Sequence, residues 1–239
     1  MGYESASPGG LRPTGRAGPG AGGQAPPGAR IMRIGVDLDD VVAVCCVPYL
    51  KKFAAEYGVE LPDEDQLGWH VLDHYEAEVP APERDRFRLR TYDGDFFETL
   101  EPYADATEAL ERIVNAGHEI HFITARAERR RVVTEQWLRQ KGLLNYARTV
   151  RLKPRGDFRP DAAPGRYDPY SSADYKVRVA RELNLDGFCE DDVVIAEMLA
   201  RAGVPVWLFD RPWNRDLAHP NIRRVSGWDA VTAALVAPR

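Results

Sequence analysis

Short apolar runs alternate with amphipathic stretches along most of this chain. Arg33 to Leu38 is mostly apolar, as expected of a strand with both faces covered. His118 to Ile123, Thr149 to Leu152, Gly187 to Cys189 and Val204 to Phe209 read as four more strands. Helical patterns lie between them. Ala104 to Ala116 carries Leu110, Ile113 and Val114 and stops at Gly117, a good C-cap. Arg126 to Lys141 stops at Gly142, Ala173 to Leu183 follows, and Val193 to Ala202 stops at Gly203. Strand and helix in alternation predict an α/β fold, a Rossmann-like three-layer parallel sheet with helices on both faces.

About eighty residues separate the first two strands, far more than one crossover needs. Within them Pro48 to Tyr57, Asp63 to Tyr75 and Ala81 to Tyr92 read as helices. Residues 45–100 are therefore expected to form a small helical cap, inserted after the first strand over the carboxyl ends where open α/β sheets bind ligands. Residues 31–44 and 101–239 would make the core domain. Residues 1–30 are rich in Gly, Pro and Ala, with almost no large apolar side chain. Such a leader buries too little surface to offset its chain entropy, so it is expected to be disordered. It lacks the apolar centre of a secretory signal. Lys153 to Ser172 is a second irregular stretch, rich in Pro, Gly, Asp and Arg, and reads as a long loop.

A net charge of -5 argues against long nucleic acid or an anionic membrane as partner. No apolar run reaches transmembrane length. The three cysteines, Cys45, Cys46 and Cys189, fit neither a zinc pattern nor a disulfide framework, so a cytoplasmic setting is expected. Exposed apolar surface on the cap would support a homodimer.

The chemistry concentrates at strand ends. The first strand runs into Asp37-Leu38-Asp39-Asp40. Side chains alternate along a strand, so Asp37 and Asp39 emerge on one side. Two carboxylates in close quarters repel and ask for a cation, a proton, or both. The pair reads as a metal site, as a nucleophile with an acid/base, or as both; the plain alternative is an acidic turn with an N-cap. The second strand ends in Thr124, Ala125 and Arg126, and the fourth in Glu190, Asp191 and Asp192, while Lys176 opens the helix before the fourth. In a parallel sheet all of these meet at one edge, equipped for phosphoryl transfer.

These four motifs, Asp37-Leu38-Asp39, Ile123-Thr124-Ala125-Arg126, Lys176 and Glu190-Asp191, resemble in their order those of the haloacid-dehalogenase-like (HAD) phosphohydrolases. A finer resemblance is to the 5'(3')-deoxyribonucleotidase branch, cytosolic type C. It rests on Gly94-Asp95-Phe96-Phe97-Glu98-Thr99-Leu100-Glu101-Pro102 and on Phe209-Asp210-Arg211-Pro212-Trp213-Asn214. The resemblance spans roughly Met32 to the C-terminus. It implies a Mg²⁺-dependent phosphatase of a small phosphate ester, with a nucleoside monophosphate as the expected substrate. Asp37 would be the nucleophile, and Asp39 the acid that protonates the leaving alcohol and then the base that activates water. Asp37, the Asp39 carbonyl and Glu190 or Asp191 would hold the metal, Thr124 would bond the transferring phosphoryl, and Lys176 would neutralise charge beside Asp37. Asp40 stands where the family usually has Gly, placing size and negative charge beside a phosphate. Lys153, near the end of the third strand, competes with Lys176.

Several residues carry plainer readings. Thr124 could simply cap the next helix. Arg126 could bind phosphate or open the basic run Arg126, Arg129, Arg130, Arg131, and such runs usually make a solvated face. Asp192 reads as a helix cap. Phe96, Phe97 and Trp69 could stack a nucleobase, but aromatics in a small insert more often form its core. His70 and His74 have metal-binding spacing without a third ligand and read as an exposed face. Phe209 to Asn214 could be a structural turn. Two other functions stay open: a phosphatase of a sugar phosphate or other metabolite, and a non-catalytic phosphate-binding HAD-like protein.

Overall fold

The computed structural model describes residues 30–67, 70–157 and 168–236. The leader before Arg30, Trp69, and residues 158–167 of the long loop lie outside them. Strands β1 (Arg33–Val36), β2 (Glu119–Ala127), β3 (Ala147–Lys153), β4 (Gly187–Glu190), β5 (Val206–Phe209) and β6 (Ile222–Val225) form one sheet in the order β3-β2-β1-β4-β5-β6. All its pairings are parallel. The chain works outward from β1 through β2 to β3, then returns to the centre and works outward through β4 to β6. The order reverses between β1 and β4, which opens a crevice at their carboxyl ends.

Helices α3 (Ala106–Asn115), α4 (Arg131–Gln140) and α7 (Trp228–Val236) pack in one layer, and α5 (Pro169–Glu182) and α6 (Val193–Arg201) in the other. Strand alternation sorts the core. Cys189, Trp207 and Phe209 join the cluster of Leu110, Trp137 and Trp228; Phe188, Val206 and Leu208 join Ala173, Ile195 and Leu199 on the opposite face. Gly35 keeps β1 close to its cover. A Cβ there would lie 2.5 Å from the Phe188 ring and 2.7 Å from Leu185.

The cap enters and leaves through paired backbone. Val44 N donates to Glu101 O at 2.9 Å and Tyr103 N to Val42 O at 2.8 Å, with Ala43 bridging antiparallel to Pro102. Between these points lie α1 (Cys46–Tyr57) and α2 (Ala81–Asp93), packed through Tyr49, Phe53, Tyr75, Phe87, Phe96 and Phe97.

Four sequence expectations change. Where the helix over Asp63 to Tyr75 is expected, the described residues form short 3-10 turns at Glu64–Gln66 and Val71–Tyr75, with 68–69 outside them. Arg126 belongs to β2, and α4 starts only at Arg131. Helix α5 begins at Pro169, before the expected Ala173, because Asp168 caps it by accepting from Ser171 N. Strand β6 and helix α7 are additional elements: Ile222-Arg223-Arg224-Val225 is a four-residue edge strand half exposed, and α7 is apolar without a clear helical period.

Candidate active site

Register brings the two acidic strand ends together. Val36 pairs with Phe122 on one side and Cys189 on the other, and Asp37 N donates to Cys189 O at 3.1 Å. Asp37 therefore sits beside Glu190 in the crevice. Lys176 reaches between them from α5, its Nζ 2.7 Å from Asp37 Oδ1 and 2.8 Å from Glu190 Oε2. All three are buried, and Asp191 closes the group at 5% exposure. Carboxylate oxygens of Asp37, Glu190 and Asp191 lie within 4.8 Å of one another.

So much negative charge away from water disfavours the ionised carboxylates. Burial, offset in part by Lys176, pushes the Asp37 carboxyl up to about 7. Burial also raises Glu190, against the pull of Lys176. Asp191 rises well above the usual range through burial and the neighbouring carboxylates, Glu190 first. Lys176 is held protonated by Asp37 and Glu190, which outweigh its desolvation. One lysine faces three carboxylates, so the cluster is short of positive charge. A set of hard oxygen donors in that state fits Mg²⁺.

Asp39 stands outside this trio, near enough for its charge to raise Asp37, and is held separately. Arg126 grips it with a fork, Nε to Oδ2 at 3.0 Å and Nη2 to Oδ1 at 2.5 Å. The guanidinium lies 4.0 Å from the Phe97 ring centroid and 5.7 Å from that of Trp137. Its remaining nitrogen, Nη1, is buried without an acceptor.

Asp40 has φ +55, the left-handed region that explains a glycine in the family pattern. Its charge still reaches the crevice, where it helps raise Asp191, and its side chain also has a structural task. Oδ1 accepts from Cys45 N and Cys46 N at 3.0 Å, capping the otherwise uncapped start of α1. The Asp40 carbonyl accepts from Arg211 Nη2 at 2.6 Å and Nε at 3.1 Å, and that guanidinium lies over Tyr103. The stretch after β5 is a structural turn with a purpose. Asn214 Nδ2 donates to Asp191 O and to Phe209 O, both at 2.8 Å, and Trp213 Nε1 donates to Asp191 Oδ2 at 3.1 Å. Arg224 from β6 binds Asn214 Oδ1 at 2.6 Å. Arg211, Trp213 and Asn214, which carry the branch resemblance and also read as a turn, thus hold Asp191 and the Asp40 carbonyl. Their polar side chains inside an aromatic, Pro-bearing motif were the signal that the turn supports the site.

Residues 30–162 match the family described as 5' nucleotidase, deoxy (pyrimidine), cytosolic type C protein. The chain belongs to this family. A nucleotidase of Clostridium acetobutylicum is 30% identical over 211 residues, covering 84% of this chain and 91% of that one. A Bacillus cereus relative is 24% identical over 205 residues. Among solved structures, a haloacid-dehalogenase-like hydrolase of Streptococcus pneumoniae superposes with a TM-score of 0.60 at 13% identity, over 85% of this chain and 98% of that one. Protein tyrosine kinase A of Mycobacterium tuberculosis shares the fold at a TM-score of 0.62 and 15% identity, over 87% and 99%. The fold is HAD-like, and the family makes the protein a phosphatase of nucleotidase type.

Thr124 is buried at the end of the β2 core run, and its Oγ1 accepts from Arg126 N at 3.2 Å. Ala125 follows, half-buried. Lys153 Nζ donates to Ser171 Oγ at 2.5 Å and to Ser172 Oγ at 3.1 Å. Asp192 caps α6, accepting from Ile195 N at 2.9 Å. Phe96 and Phe97 are buried in the aromatic cluster of the cap, and Phe97 gives its face to Arg126. Arg129 binds Asp93 at 2.6 Å, Arg130 binds the carbonyls of Asp93 and Gly94, and Arg131 binds Glu128 and Glu135. The basic run thus ties the core to the end of α2. His70 and His74 are exposed. No helix among the described residues is long and apolar enough to cross a membrane.

Proposed function

We propose that this phosphatase is a Mg²⁺-dependent phosphomonoester hydrolase that works through an aspartyl-phosphate and acts on (deoxy)nucleoside monophosphates in the cytoplasm. The observation that carries the reading is Asp37, buried at the switch point of the sheet, paired at 2.7 Å with Lys176 and grouped with Glu190 and Asp191. Residues 45–100 act as a cap over a core of residues 31–44 and 101–239, so the substrate binds in the crevice between them.

An Asp37 oxygen attacks phosphorus and the ester oxygen leaves, taking a proton from Asp39. Asp39 then removes a proton from water, the water attacks the aspartyl-phosphate, and Asp37 returns with release of inorganic phosphate. Thr124 donates its hydroxyl to the transferring phosphoryl, and the backbone at Ala125 and Arg126 lines the same side. Lys176 holds Asp37 ionised against burial and balances the charge that builds on the phosphoryl oxygens. Asp37, the Asp39 carbonyl, Glu190 and Asp191 would hold Mg²⁺, which when bound supplies positive charge to the phosphate and to the carboxylates. Trp69 is the remaining aromatic candidate for contact with the base.

The test is phosphate release from a panel of nucleoside monophosphates and sugar phosphates, with Mg²⁺ or EDTA, for wild type and Asp37→Asn. Release that needs Mg²⁺ and disappears in Asp37→Asn supports the mechanism, and the ranking of substrates separates nucleotide from sugar phosphate. No release by a folded wild type that binds Mg²⁺ sinks it.

A further inference from the structure

We propose that Arg126 is a positioning residue that aims Asp39, and that the cap sets this aim through Phe97. The inference rests on the reading of Asp39 as the acid/base.

Asp39 sits in the turn that follows β1, outside the regular sheet, and its side chain is the more exposed partner of the pair at 28%. A carboxylate on such a turn has rotational freedom that general acid–base chemistry does not tolerate, because the proton must travel along a fixed line. The Arg126 fork removes that freedom, since two parallel bonds fix the plane of the carboxylate as well as its place. The guanidinium has nowhere else to go. Its side chain is 1% exposed, and Nη1 already lacks an acceptor, so leaving Asp39 would strand further donors.

The plane of that guanidinium is set by the cap. Arg126 comes from the core and lies over Phe97 of the cap. Phe97 stacks on Tyr92 with ring planes 4° apart and centroids 5.6 Å apart, and Tyr92 stacks on Tyr49 at 10° and 5.5 Å. A column of near-parallel rings therefore runs from α1 and α2 of the cap to Arg126 and ends at Asp39. A displacement of Phe97 tilts the plane on which the fork depends. Catalytic geometry at Asp39 thereby reports where the cap is. A simple phosphate ligand would need its fork free, and this one is engaged.

The experiment is a double-mutant cycle on the full chain. Turnover is measured with a nucleoside monophosphate and, for the slow variants, with p-nitrophenyl phosphate, whose phenolate leaves without a proton. Arg126→Gln is expected to lower kcat for the nucleotide about 100-fold, within the range of a misplaced acid/base, with KM changed less than about threefold. In an Asp39→Asn background the same substitution should cost less than about threefold, because the group it positions is gone. Arg126→Lys should not restore turnover, since an ammonium cannot make the fork. Phe97→Leu should lower kcat in the Arg126 protein and have little effect beside Arg126→Gln. Thermal unfolding checks that each variant is folded; should Arg126→Gln fail to fold, Arg126→Lys and Phe97→Leu complete the cycle. Equal losses with and without Asp39, or a loss confined to KM, overturn the proposal. An active wild type untouched by Asp39→Asn overturns the acid/base reading beneath it, and a wild type inactive on every ester overturns the proposed function itself.

Discussion

Replacing Lys176 with methionine removes the one cation that, among the described residues, touches both Asp37 and Glu190, while keeping most of the side-chain volume. Two contacts disappear, at 2.7 and 2.8 Å. At an effective dielectric of about 20, each represents about 6 kcal/mol of attraction, most of it already spent on taking the charges out of water. Removing one partner of such a buried group typically costs about 3–5 kcal/mol, because the other charges remain uncompensated. That is a large share of a typical domain's stability of about 5–15 kcal/mol. The loss should depend on pH. Burial already lifts Asp37 to about 7 with Lys176 in place, so without the lysine both carboxylates take up protons more readily. At pH 5 they can neutralise themselves and the loss shrinks; at pH 8 it is largest. Urea unfolding of wild type and Lys176→Met in EDTA, at both pH values, measures this as a shift in midpoint at unchanged slope. Mg²⁺ should recover part of the loss at pH 8 by replacing the missing charge. Stability within about 0.5 kcal/mol of wild type at pH 8 in EDTA would refute the electrostatic account.

Asp40→Ala should destabilise by about 1–2 kcal/mol, since it removes the cap of α1 while keeping a side chain at positive φ. Asp40→Gly relieves the backbone and should fall much closer to wild type; denaturant midpoints of the two variants give the order. Trp213→Phe deletes the donor to Asp191 Oδ2, and the Mg²⁺ concentration for half-maximal phosphate release should rise about 10-fold or more with little change in stability. Wild type in EDTA should lose stability as pH rises from about 4 to 7. Asp37, at about 7, and Asp40, at about 6, bind protons more tightly folded than unfolded, so their contribution is full below their ordinary range and is lost above it. Saturating Mg²⁺ should flatten the Asp37 part of that fall, which pH-dependent melting would follow. Gly35→Ala should cost about 1–3 kcal/mol in a denaturant titration, because its Cβ meets the Phe188 ring.

The order of elements was legible in the chain because strand and helix periods are local properties, and glycine stops such as Gly117, Gly142 and Gly203 punctuate them. The location of Asp37, Thr124 and Glu190 followed for the same reason: each stands at the carboxyl end of an apolar run, and a parallel sheet collects such ends at one edge. The edge strand β6 was hidden because Arg223 and Arg224 interrupt its apolar pattern, and only pairing with β5 makes it a strand. Partner choice within the site was not local at all. Lys153 and Lys176 are equivalent as residues, but the register of β3 sends Lys153 to the serines at the start of α5, while one turn further along that helix Lys176 faces the crevice. Asp40 reads in sequence only as a charge, and a left-handed backbone with α1 starting nearby makes it a helix cap as well. The fork of Arg126 on Asp39 joins residues 87 positions apart, and Asn214 meets Asp191 only because β4 and β5 are neighbours. The sequence by itself determined which chemical groups reach the crevice, since that depends on where strands end. Only the tertiary structure decided what each group touches there, since direction and distance at a strand end are set by register and packing between segments far apart in the chain.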